Sequence, residues 1–421
     1  MKRSLYLVGA GKVDITPPLH IPYLGIRPRH AFFTGVHDRL YARSLYVSDG
    51  RSAALIVAAD ALGFSDNLLG DKRRFCQEVR RAAGRAAGVS WRNVMLAANH
   101  IHSSPETIDI RPLRALPGAA AWLETLQQAL AASARMAREN RFKAELTVGR
   151  GLTGPVARNR RNEEAIDEEL AVLAFMSRGG DTIFVVSAAC HPAIMQVTKR
   201  VSADYVGVLE AMVERAVEKT RACLFLQGAC GDINPRKGCT HDYEDARLTG
   251  QVLAGGALKA FALARLLRDR GEAAIVKSAA TVVALPCRPL PARAERAALR
   301  RRARAGDFKA KESLRRVEQG AGPFRAEIQA IRIGPVVLVG IPGEPFCELG
   351  LEIKRRAAPL CAVPVGYANG YLGYIAPPSA WAKGGYEVSC GPWSLVGPES
   401  HGIVLRAFEK LKAAVGGEKK R

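Results

Sequence analysis

Short apolar runs that stop abruptly at polar or glycine-rich turns dominate this chain, and the segments between them alternate in kind. "SAALIVAADALGF" (52–64) begins as an apolar strand, "LGDKRRFCQEVRRAAGRAAG" follows with helical spacing, and "NVMLAAN" is the next strand. "LAVLAFMS" and "TIFVVSAAC" face each other across "RGGD", a hairpin junction, and "AEIQAIRIGPVVLVGIPGE" turns back on itself at Ile333-Gly334-Pro335. "YVGVLEAMVERAVE" has the spacing of a helix and "ACLFLQGACGD" that of a strand. Helical crossovers mixed with hairpins predict an α/β fold of α+β character. The expected architecture is mixed β-sheets flanked by helices, forming one large domain over 1–421.

Three of these runs end in residues that bind metals. "NVMLAANHIHSSPET" runs into His100 and His102, which share a face if the chain stays extended. "TIFVVSAACHPA" runs into His191, and "PVVLVGIPGEPF" into Glu344 between Gly343 and Pro345. Binding sites gather beyond the carboxyl ends of strands in open sheets. Two histidines and a glutamate match a catalytic zinc site, which keeps one coordination position for water. A fourth stretch, "GYANGYLGYIAPPSAWAKGGYEVSCG", sets Tyr367, Tyr371, Tyr374 and Tyr386 among glycines and prolines, where phenols reach a site more readily than a core.

Composition narrows the setting. Nine cysteines, an odd number without a C-x-x-C pair, predict a reduced intracellular protein, and the first apolar stretch is too short for a secretory signal. The expectation is a cytoplasmic protein. A net charge of +22 favours anionic partners. The segment "PARAERAALRRRARAGDFKAKESLRR" (291–316) holds ten Lys or Arg against three acids. It reads as a solvated helical face, or as a membrane-surface contact. Nucleic acid is not expected, because no stacking platform accompanies it.

The motifs taken together, in order, resemble the neutral/alkaline non-lysosomal ceramidases. They are "GAGKVDITPP", "ANHIHSSPET", "NRRN…LAVLAF", "CHPAIM…SADYVG", "QGACGDINP", "GIPGEPF" and "GYANGYLGYIAPP…GGYEV". The resemblance implies a zinc-dependent amidase that cleaves an N-acyl bond with zinc-activated water, giving a carboxylate and an amine. It implies zinc held by His100, His191, Glu344 and Tyr374. It places His102 beside the activated water and Tyr386 on the scissile carbonyl, with Arg160, or its neighbour Arg161, as the site arginine. Asp204 and Asp232 are expected either to orient a histidine or to cap loops. The partner implied is a small N-acyl substrate, lipid or otherwise. Two departures stand out. Asn234 replaces the serine of the family's Gly-Asp-Val-Ser-Pro motif, and no C-terminal immunoglobulin-like domain is expected in the span after the tyrosine loop. Competing readings are another His-x-His metallohydrolase, such as a barrel amidohydrolase or an esterase, and a non-enzymatic basic scaffold on an anionic surface.

Overall fold

The protein was analysed as a computed structural model, which describes residues 5–22, 32–110, 113–196, 198–267, 273–318 and 322–416. Eight strands form the larger sheet: β1 (Tyr6–Asp14), β2 (Tyr41–Ser48), β3 (Ala53–Ala59), β4 (Val94–Ala98), β5 (Phe142–Leu152), β6 (Glu169–Met176), β7 (Thr182–Ala188) and β8 (Thr220–Gln227). Their order across the sheet is β8-β7-β6-β5-β1-β2-β3-β4. A second, four-stranded sheet runs β9 (Val276–Leu285), β10 (Phe324–Ile333), β11 (Val336–Gly340), β12 (Cys361–Val365). The mixed α/β reading holds, and both hairpins expected from sequence are present: β6 pairs antiparallel with β7, and β10 with β11. The larger sheet is open, with β8 and β4 at its edges, which rules out the barrel of the competing metallohydrolase reading.

Four layers stack. Helices α1 (Phe75–Ala87), α2 (Ala119–Glu139), α3 (Asp204–Ala216) and α4 (Tyr243–Leu266) cover the outer face of the larger sheet, burying Phe75, Leu123, Leu209 and Phe261 in one core. A second core lies between the two sheets. The outer face of the smaller sheet is covered by two of the remaining helices. Of these, α5 (Arg293–Arg304) and α6 (Phe308–Glu318) form the basic segment, α7 (Cys347–Ala357) and α9 (Ser400–Gly416) cover the sheet, and α8 (Pro378–Lys383) lies between those two in sequence. This layering explains the strand sequences. In β4, "VMLAA", every residue is buried: Met95 and Ala97 face the second sheet, while Val94, Leu96 and Ala98 face the helices. A strand covered on both sides is apolar throughout rather than alternating.

Within the two large sheets each parallel pair is a strand–helix–strand unit: β3-α1-β4, β7-α3-β8 and β11-α7-β12. All three units point their carboxyl ends at one place. Loop 367–369 closes the outer edge of β4: the Asn369 amide donates to the Leu96 carbonyl at 2.7 Å, and the Leu96 amide donates to Asn369 Oδ1 at 3.0 Å. An edge strand is thus paired rather than left open, and the two sheets are joined at the site. Among the described residues no helix is long and apolar enough to cross a membrane.

Candidate metal centre

His100 follows β4, His191 follows β7, and Glu344 follows β11, so each of the three strand–helix–strand units contributes one of them. The three side chains meet. His100 Nε2 lies 3.6 Å from Glu344 Oε2, and His191 Nε2 lies 3.3 Å from the same oxygen. His102 joins them, its Nε2 3.1 Å from His100 Nε2. The route differs from the extended His-x-His expected from sequence. The strand ends at Ala98, and His100 takes a left-handed backbone, φ 64°. Tyr367, at φ 54°, stacks on the His100 ring at 4.0 Å. Such backbone is costly for residues other than glycine and persists where its surroundings over-determine it.

Backbone carbonyls set the imidazoles. His100 Nδ1 is 2.7 Å from the Leu62 carbonyl, and His191 Nδ1 is 2.6 Å from that of Cys230. A carbonyl only accepts, so both Nδ1 atoms carry hydrogen and both Nε2 atoms point inward. His191 Nε2 is fully buried with no hydrogen-bond partner. A buried ring nitrogen without a hydrogen bond is costly unless something else engages it. The donor spacing fits a single ion, since metal–ligand bonds of about 2.0–2.1 Å in a tetrahedron set ligand edges near ~3.4 Å. Imidazole and carboxylate donors are those zinc accepts.

Burial and neighbouring charges pull these buried groups in different directions. Burial pushes His100 down to about 3. Burial acts to raise the Glu344 carboxyl, but the facing histidines outweigh it and hold it down to about 2. Burial likewise opposes the charge on His191, yet the Cys230 and Glu344 side chains carry it up to about 10. Two phenols clamp the carboxylate: Tyr371 donates to Glu344 Oε1 at 2.5 Å, and Tyr367 to Oε2 at 3.2 Å. Neither clamp was assigned from sequence, although both belong to the tyrosine-rich loop singled out there. Gly231 lets the loop after β8 reach this wall, since a Cβ there would meet the Glu344 carbonyl oxygen at 2.6 Å.

A cavity of about 230 Å³ opens beside the cluster, lined by His100, His102, Arg160, Glu344, Tyr374 and Tyr386 among others. Arg160, not Arg161, faces it. Its guanidinium donates to Glu387 (2.7 Å) and to the Gly231 carbonyl (2.7 Å), and lies 5.3 and 5.7 Å from the rings of Tyr374 and Tyr386. Arg161 turns away, to the other Glu387 oxygen at 2.6 Å and the Gly384 carbonyl at 2.7 Å. Asn234, in place of the family's serine, accepts from Arg160 at 3.3 Å and so helps aim it. Tyr374 pairs in a short strand with Glu344. Burial raises its phenol well above the ordinary value, and neighbouring Arg160 acts the other way. Tyr386 is half exposed and stacks on Trp393 at 4.5 Å.

Of the two roles expected for Asp204 and Asp232, the structure shows the loop cap. Asp204 accepts from the Met195 and Tyr205 amides, and Asp232 from Asn159 and the Cys347 amide. Both serve as loop caps; the carbonyls of Leu62 and Cys230 have taken the orienting positions.

Comparison with known proteins bears on the family and the fold. The profile of the family described as neutral/alkaline non-lysosomal ceramidase, N-terminal, matches residues 6–251. That span holds His100, His102, Arg160 and His191, whereas Glu344 and the tyrosines lie beyond it. A neutral ceramidase of Mycobacterium tuberculosis is 36% identical over 85 residues, 17% of this chain and 13% of that protein. One of Drosophila melanogaster is 24% identical over 266 residues, covering 55% of this chain and 36% of that protein. The matched stretches thus span well under half the length of these relatives. The crystal structure of neutral ceramidase from Pseudomonas aeruginosa has the same fold, with a TM-score of 0.76 at 20% identity over 98% of this chain and 75% of that one. With more than half of its length matched by the profile, the chain belongs to the neutral/alkaline non-lysosomal ceramidase family.

Proposed function

We propose that the protein is a zinc-dependent amidase that hydrolyses an N-acyl bond, and the observation that carries this is the convergence of His100, His191 and Glu344 from three separate strand ends. Family membership supports the class of reaction. His100, His191 and Glu344 would hold the ion, with Tyr374 as the fourth ligand. A bound zinc supplies a Lewis acid that eases the loss of a proton from water near neutral pH and polarises an amide carbonyl.

The chain's own groups account for the rest. His102 lies at the cavity with its Nε2 beside His100. It takes the proton of the attacking water and returns it to the departing amine nitrogen, a role worth roughly 10²–10⁴-fold. The new C–O bond forms first as the carbonyl π pair moves onto oxygen; the carbonyl then re-forms as the C–N bond breaks and the nitrogen takes the proton, leaving a carboxylate and an amine. Arg160, held by Glu387, Gly231 and Asn234, and the phenol of Tyr386 donate to the oxygen that carries charge in the tetrahedral state. Donors fixed before the reaction lose no energy in reorganising. The substrate class is an N-acyl compound.

Chelated and zinc-reloaded protein should be compared on an N-acyl substrate. Activity lost on chelation and restored by zinc supports the assignment. Protein that purifies without zinc and cleaves no amide is instead the basic scaffold of the competing reading.

A further inference from the structure

The turn that carries His100 is laid on the turn that follows β3. The Asn99 amide donates to the Ala59 carbonyl at 2.9 Å and the Ile101 amide to that of Ala61 at 3.1 Å. Between them, His100 Nδ1 donates to the Leu62 carbonyl at 2.7 Å, and the Asn99 side chain donates to Asp60 Oδ1 at 2.9 Å. Asp60 and Asn99 are both buried. A carboxylate only accepts, so the Asn99 NH2 faces Asp60. Asn99 Oδ1 is buried without a partner, so among the described residues Asp60 alone holds that side chain. The other Asp60 oxygen is occupied from β2, by the Tyr41 amide at 2.8 Å and by Arg43 at 3.0 Å. Arg43 also meets a second buried acid, Glu210 of α3, at 2.7 Å.

Buried charges of this kind are weak stabilisers, and apolar residues of the same volume often hold a core as well or better. What an apolar side chain cannot supply is an acceptor fixed in space. Asp60 supplies one directly beneath the ligand turn, two residues before the carbonyl that sets the His100 ring. His100 itself takes φ 64°, a backbone that its surroundings must enforce. We propose that Asp60 is a positioning residue of the metal centre: through Asn99 it holds the left-handed turn that aims His100 Nε2 at Glu344, and Arg43 fixes the carboxylate in that task. This inference rests on the zinc reading and adds the group that builds the geometry of one ligand.

The test measures zinc affinity of the full chain by competitive chelator titration. The visible spectrum of the cobalt-loaded protein and the thermal midpoint of the metal-free protein are read alongside. Asn99→Ala leaves the Asp60–Arg43 pair in place and should weaken zinc binding by about 10- to 100-fold, the usual loss when a group orienting a ligand is removed. It should also change the cobalt spectrum. Asp60→Ala should do the same, and the double variant should bind zinc no more weakly than Asp60→Ala, since both act through one bond. Glu210→Gln disturbs Arg43 from its other side; it should lower the thermal midpoint and leave zinc affinity unchanged. Asn99→Ala decides on its own if Asp60→Ala does not fold. Wild-type affinity in Asn99→Ala or Asp60→Ala, losses that add in the double variant, or an equal loss in Glu210→Gln overturns the inference while the zinc reading stands. Wild-type protein that binds no zinc overturns both.

Discussion

The inner wall of the site and its mouth are built in opposite ways. The inner wall is made of strand ends: His100, His191 and Glu344 are at most 2% exposed, and each is held by a backbone carbonyl or a buried phenol. The mouth is made of a helix pair and a loop, where Tyr386 is half exposed and Lys309 reaches in from a basic helix. The sheets fix the geometry of the inner wall, so that wall tolerates little change. The mouth can vary without disturbing the strands beneath it. On the proposed function, chemistry belongs to the first region and substrate contact to the second, as expected when a rigid scaffold carries variable loops.

Substitutions can break this division, and the largest effects are expected in the inner wall. Glu344→Gln should abolish cation binding and lower turnover by roughly 10³-fold or more, read by elemental analysis together with steady-state rates. Arg160→Met should keep the cation and cost about 10²–10³-fold in kcat, the loss typical of one pre-aligned donor. Tyr386→Phe should also keep the cation and lose most turnover, about 10²-fold in kcat; an unchanged rate removes Tyr386 from the mechanism. Tyr371→Phe leaves every proposed ligand in place but removes a donor to Glu344, so zinc affinity should fall by about 10- to 100-fold in a competitive chelator titration. The smallest effect belongs to the mouth. Ser313→Ala frees α6 from the Cys390 carbonyl and should shift KM only about two- to fivefold with kcat intact, since a single neutral hydrogen bond is worth about 1 kcal/mol. A Ser313→Ala variant that lost its metal would contradict the separation of the two regions.

Much of the inner wall was legible in the sequence because the signal is local: an apolar run followed at once by His or Glu at a turn. The parallel pairing that brings the runs together was less visible, yet each ligand strand belongs to a strand–helix–strand unit. The groups that orient the ligands were not legible. Carbonyls of Leu62 and Cys230 do the work expected of Asp204 or Asp232, and a carbonyl has no sequence signature. The left-handed turn at His100 was equally hidden, since histidine does not announce positive φ as glycine does. Adjacent Arg160 and Arg161 are alike in sequence. They were told apart only by their partners: Arg160 binds the Gly231 carbonyl in the cavity wall, and Arg161 the Gly384 carbonyl outside it. Lys309 looked like one charge among ten, because only the docking of α6 turns it toward the cavity.

The central claim is that strand ends distant in sequence grip one zinc ion. Elemental analysis of purified wild type against His191→Ala tests it most directly, because the buried His191 Nε2 faces Glu344 at the centre of the cluster. About one zinc per chain in the wild type and close to none in the variant, at equal folded fraction, is the expected result. Equal zinc in both proteins would contradict it.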